Sequence, residues 1–151
     1  MDEKRDLATN RQARYKFQLV RSLEAGISLL GHEVKSLRAG GAQLRDSYAR
    51  VKRGELFLYH CHISPYGNAD PSEQDPLRVR KLLVHRREIL RLERDTRSAG
   101  HTLVPLRFYL KDGRIKVEIA LARGKKAHDK RDAERRRDHQ QEIKRALGKR
   151  R

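Results

Sequence analysis

A chain of 151 residues with 36% apolar content can bury the core of one small domain and leave an appendage outside it. Its 37 Lys and Arg against 20 Asp and Glu give a formal charge of +17, so a polyanion is the expected partner; nucleic acid ranks above a membrane surface because the basic residues run along the whole chain and Trp is absent. No stretch approaches the roughly 20 apolar residues that span a bilayer, Met1 to Arg11 lacks the apolar run of a signal peptide, and the single Cys61 excludes a disulfide framework, so a cytoplasmic protein is expected.

In chain order, the first strand-like residues are Tyr15 to Leu23 and Ile27 to Leu30, read as an extended pair bent at Ala25-Gly26. Leu30, Val34 and Leu37 then share one side of a short helix over Gly31 to Arg38. Glu33, Lys35, Ser36 and Arg38 are left for solvent or a ligand, and Gly40-Gly41 stops the helix. A hairpin is expected around Arg53-Gly54, joining Ser47 to Lys52 with Glu55 to Ile63, because Tyr48, Val51 and Leu56 to Tyr59 favour strands. Within it, His60 and His62 face one way and Cys61 the other; the three cannot converge on a metal without a bulge, no further Cys completes a zinc set, and a strand with two surface histidines and a buried thiol is expected. Three of the four prolines fall between Ser64 and Pro76, which marks an irregular crossing loop.

The block from Arg78 to Arg87 embeds Leu82, Leu83 and Val84 in basic residues, as a core strand whose ends meet phosphates would, or as a core strand with polar flanks. A helix over Arg86 to Ala99 turns Ile89 and Leu92 inward and stops at Gly100. From Leu103 to Ala122 the period is two. Val104, Leu106, Phe108 and Leu110 alternate with polar or small neighbours, Asp112-Gly113 turns the chain, and Ile115, Val117, Ile119 and Leu121 continue the apolar side.

Beyond Leu121 the composition changes. Residues 123–151 hold 13 basic and 5 acidic residues, a balance of +8, against +9 for the first 122, and their few apolar side chains cannot form a core. The expected organisation is an RNA-binding β-barrel domain over 1–122 and a basic tail over 123–151, disordered alone and helical when laid along RNA. The expected fold is mainly β, a small antiparallel oligonucleotide-binding-like barrel with two or three short helices.

No catalytic apparatus, cofactor or metal is expected. There is no nucleophile elbow and no phosphate-cradling glycine loop, and the acidic residues are interleaved with Lys and Arg instead of clustered to hold ions. Aromatic content of 5% favours recognition of a folded RNA by shape and phosphate contacts over broad stacking of single strands. On composition alone, a permanent ribosomal RNA-binding protein and a small metal-dependent RNase remain as rivals.

An ordered series of segments is more specific. Asn10 to Arg14 (NRQAR), Glu24 to Ile27 (EAGI), Gly31 to Gly40 (GHEVKSLRAG), Asp46 to Tyr48 (DSY), Ile63 to Tyr66 (ISPY), Asp75-Pro76, Arg80 to Leu83 (RKLL), and Leu121 to Lys126 (LARGKK) before Asp129-Lys130-Arg131 together resemble the SmpB family over nearly the whole chain. The resemblance implies an RNA adaptor that grips the tRNA-like domain of transfer-messenger RNA and, with elongation factor Tu, delivers it to stalled ribosomes. It implies a monomer. It places Asn10, Arg11, Arg14, Glu33, Lys35, Ser36, Arg38, Leu83 and His85 on the face for the tRNA-like domain. It also implies that Gly124, Lys125, Lys126, Asp129, Lys130, Arg131 and Ile143 contact the ribosome's small subunit at the decoding centre and message channel. The chain departs from the family at Tyr15, where His is common, and at His60-Cys61.

Overall fold

The computed structural model of the chain describes residues 5–67, 74–98 and 100–124. In chain order these form β1 (Arg5–Thr9), α1 (Ala13–Lys16), β2 (Phe17–Ile27), α2 (Gly31–Arg38), β3 (Ala42–Gln43), β4 (Tyr48–Lys52), β5 (Glu55–Tyr59), β6 (His62–Ile63), β7 (Arg80–Leu83), α3 (Arg86–Thr96), β8 (His101–Lys111) and β9 (Arg114–Gly124). Two hairpins are set by local sequence. Arg53-Gly54 and Asp112-Gly113 each place two successive residues at positive φ, the backbone that matches the twist of β4–β5 and β8–β9.

The antiparallel strands run in the order β8-β4-β5-β7-β2-β9, and β9 pairs back with β8. The ring closes between β4 and β8 at Ala49 opposite Leu103, while β1 takes the rest of that edge of β8, from Leu110 to Arg107. The fold is thus the small barrel-like β architecture expected, with three helices among the described residues. Leu56, Leu58, Leu82, Leu103, Phe108, Val117, Ile119 and Leu121 fill its interior, and Leu37 of α2 and Leu92 of α3 complete the same cluster. Apolar burial of this kind contributes about 25 cal/mol per Å² removed from water.

Four expectations need correction. Residues 17–27 form one continuous strand, not a bent pair, and Tyr15 belongs to α1. Gly26 serves close approach instead of a bend: a Cβ there would lie 3.3 Å from the Cβ of Leu83, so the missing side chain lets β7 pair with β2. In β8 the apolar face does not run straight through. A bulge between Pro105 and Arg107 switches parity, so Leu103 and Phe108 share the main core while Val104 and Leu106 pack on the other side with Ala120, Ala122, Phe17 and Leu19. The strand from Glu55 ends at Tyr59, because His60 takes φ +60°; the chain turns there, and His62–Ile63 pairs with β3 in a separate two-stranded sheet. Finally, the last strand, expected to end at Ala122, extends to Gly124, opposite Phe17.

Candidate nucleic-acid interface

Strand alternation decides what β7 shows to solvent. Arg80 and Leu82 point into the barrel, while Leu83 is 51% exposed and His85, at the N-cap of α3, is exposed. Both line a concavity whose other walls include Leu23, Glu24, Gly26 and Lys116. A large apolar side chain standing in the open beside an imidazole is suited to pack on a ribose or base edge.

Of the two carboxylates that line this concavity, Glu24 and Glu88, the one held by a tyrosine hydroxyl is Glu24, to which the sequence alone assigns no role. Its oxygens accept from the Tyr109 hydroxyl and from Lys111 Nζ at 3.3 Å. The Tyr109 hydrogen bond, followed by the Lys111 contacts, outweighs burial and holds the Glu24 carboxyl below the usual carboxylate range. Tyr109 is fixed in turn. Arg107 lies 4.2 Å over its ring and donates to Asp6 at 2.6 Å and to Glu118 at 3.3 Å. This network spans β1, β8, β9 and β2 and keeps Glu24 ionised and aimed. Period two from the buried Ala25 would have placed Glu24 outward.

Glu33, expected on the RNA face, is buried. Its side chain is 2% exposed, and its Oε1 accepts from Arg78 Nη2 at 2.5 Å and from the Leu30 amide at 2.8 Å. Its Oε2 takes a forked contact from Arg80, Nε at 2.7 Å and Nη2 at 2.5 Å. Arg80 is fully buried and spends its remaining donors on the Cys61 and Pro76 carbonyls, at 2.6 and 3.1 Å. Burial pushes the Glu33 pKa up, but the Arg78, Leu30 and Arg80 hydrogen bonds prevail and hold it below the usual range. Glu33 therefore ties α2 to the residues leading into β7, and Arg78, one-third exposed, is the member of the cluster that reaches solvent.

Ser36 is also buried, packed so closely that a Cβ on Gly41 would meet its Oγ at 2.3 Å. Lys35 and Arg38 are exposed on α2, and Arg11 and Arg14 are exposed around α1. Asn10 is partly buried; its Nδ2 donates to the Pro105 carbonyl at 3.0 Å and the Leu44 carbonyl at 3.4 Å, which joins the end of β1 to β8 and to the loop before β4. Asn10 and Arg11 line a second concavity with Gln43 and Arg45, sharing no residue with the one around Leu83. Gly124 is the exposed last residue of β9. Lys125, Lys126, Asp129, Lys130, Arg131 and Ile143, and with them the expected tail, lie outside the described residues.

Cys61 is buried, as expected, and burial raises its thiol pKa to about 12, which keeps it protonated and unreactive. No helix among the described residues is long and apolar enough to cross a membrane.

Compared with known proteins, residues 7–149 match the family model for the SmpB protein. The chain is 52% identical over 142 residues to the SsrA-binding protein of Synechococcus elongatus, covering 93% of this chain and 92% of that protein. It is 49% identical over 141 residues to the SsrA-binding protein of Staphylococcus haemolyticus, covering 93% and 90%. Among solved structures, a chain from a study of tmRNA-SmpB and its journey to the center of the bacterial ribosome superposes with a TM-score of 0.69 at 46% identity, covering 85% of this chain and 94% of that one.

Proposed function

The chain belongs to the SmpB protein family, and on that premise we propose that it is the RNA-binding adaptor that carries transfer-messenger RNA to stalled ribosomes for trans-translation. The observation that carries this reading is identity near 50% to SsrA-binding proteins along almost the whole chain. Its partners are transfer-messenger RNA and the ribosome, with elongation factor Tu in the delivered complex, and the free protein is a cytoplasmic monomer that makes and breaks no covalent bond.

In this reading the concavity around Leu83, His85 and Glu24 takes the tRNA-like domain. Leu83 supplies apolar packing, and the ionised Glu24 accepts from ribose hydroxyls or base amino groups, reading shape where cations would only bind charge. The exposed Arg11, Arg14, Lys35 and Arg38 position phosphates. Glu33 and Ser36 act from behind this surface by fixing α2, and Asn10 by fixing the end of β1. The basic residues of 123–151 form a second RNA surface, directed at the small subunit, with Lys125, Lys126, Lys130 and Arg131 on rRNA phosphates.

The test is a reconstituted translation system stalled on a truncated message. Leu83→Asp is expected to weaken binding to a tRNA-like RNA at least about tenfold, ~1.4 kcal/mol, and to abolish tagging with an unchanged circular dichroism spectrum. A chain lacking 125–151 is expected to bind that RNA normally and to fail at tagging. Full tagging by Leu83→Asp would overturn the assigned surface, and full tagging by the shortened chain would overturn the role of the tail.

A further inference from the structure

The outward face of the β4–β5 hairpin is used by none of the contacts above. Alternation sends Ala49, Leu56 and Leu58 into the barrel, and leaves Tyr48, Arg50 and Lys52 on β4 and Glu55, Phe57 and Tyr59 on β5 facing out. The register sets Tyr48 opposite Tyr59 and Arg50 opposite Phe57. The Tyr48 and Tyr59 rings stack at 5.4 Å and 15°, and His60, held at φ +60°, brings its ring 5.4 Å from Tyr48. A chain with only 5% aromatic residues has gathered three aromatic rings and an imidazole on one hairpin.

Beside these rings runs a groove lined by Phe57, Tyr59, Val79, Lys52, Arg53 and Glu55. Its floor is apolar and its rim is basic. Glu55 is engaged by Lys81 at 3.3 Å, whereas neither Lys52 nor Arg53 has a carboxylate within ion-pair distance among the described residues. Arg53 sits at φ +53°, a left-handed position that Asn or Gly fills with less strain, yet it carries a long cationic side chain to the groove's rim. Flat apolar rings with uncompensated cations at the rim match one ligand chemistry best, an unstacked nucleobase followed by its phosphate. A peptide would leave those cations unanswered unless it were acidic.

We propose that this groove is a stacking site for unpaired RNA bases, with Phe57 and Tyr59 as the platform and Lys52 and Arg53 on the flanking phosphates. It is separate from the concavity of Leu83 and extends RNA contact to single-stranded segments.

The test uses the full chain and a single-stranded RNA decamer bearing one 2-aminopurine, whose fluorescence is quenched on stacking, beside a tRNA-like RNA. Phe57→Leu keeps an apolar side chain and removes the ring. It is expected to abolish the protein-dependent quench and weaken decamer binding roughly tenfold, and Phe57→Trp is expected to keep both. Tyr59→Leu gives a second reading should Phe57→Leu perturb the barrel. Leu83→Asp is expected to lose the tRNA-like RNA while retaining the quench, so failure of either surface is recognised without the other. An unchanged quench in both Leu variants overturns the proposal, as does decamer binding that is unchanged in both.

Discussion

Glu33 is surrounded by donors: Arg78, Arg80 and the Leu30 amide occupy both of its oxygens, and Glu33 and Arg80 are themselves buried. Removing one member of such a cluster strands buried charge, so Glu33→Ala is expected to cost about 3–5 kcal/mol in unfolding free energy. The pH dependence follows from the depressed carboxyl. Its contribution is fully present above the pKa of the unfolded state and is lost as pH falls through the lower folded value. Urea unfolding of the wild type and Glu33→Gln is therefore expected to show a stability gap that narrows as pH falls from about 7 toward about 3; other carboxylates cancel in that difference. A constant gap would refute ionic anchoring by Glu33. Glu24, nine residues earlier, is ionised for a different reason, a tyrosine hydroxyl and a lysine at the surface, which leaves it available to a ligand.

At the scale of elements, the two hairpin turns share one backbone but not one residue chemistry. Asp112 is a residue type that tolerates left-handed φ, and Arg53 is not. Arg53→Asn is expected to raise stability by about 0.5–1 kcal/mol, read as a higher urea midpoint at an unchanged slope, while decamer binding weakens; a variant that is no more stable would mean the turn carries no strain. Elements governed by such local rules were legible in the sequence: both hairpins, α2 from Gly31 to Arg38, and the inward Ile89 and Leu92 of α3. Those governed by distant pairing were not. The bulge before Arg107 flips the inward side of β8, and Gly26 reads as a bend until β7 is laid against it. The site divides the same way. Leu83 and His85 are outward by alternation, but Glu33 is buried by Arg78 and Arg80, 45 and 47 residues away, and Glu24 is aimed by Tyr109, 85 residues away.

For the whole molecule, ring closure leaves few open strand edges among the described residues, and the chain carries a formal charge of +17. That charge is divided almost evenly, +9 over the first 122 residues and +8 over 123–151. If both shares served one general affinity for polyanions, every RNA complex would show the salt dependence of the total. If the barrel takes the tRNA-like domain and the tail takes the small subunit, each complex reports its own share. Counterion release makes the slope of log affinity against log salt proportional to the phosphates neutralised, roughly 0.7 to 0.9 per contact. Removing residues 125–151 is therefore expected to leave the slope for a tRNA-like RNA unchanged and to make the slope for isolated small subunits shallower by about 3 or more, the loss of several phosphate contacts. Filter binding across a salt series measures both. An equal drop for the two RNAs would mean that the tail adheres to any RNA, and the division into two surfaces would fail.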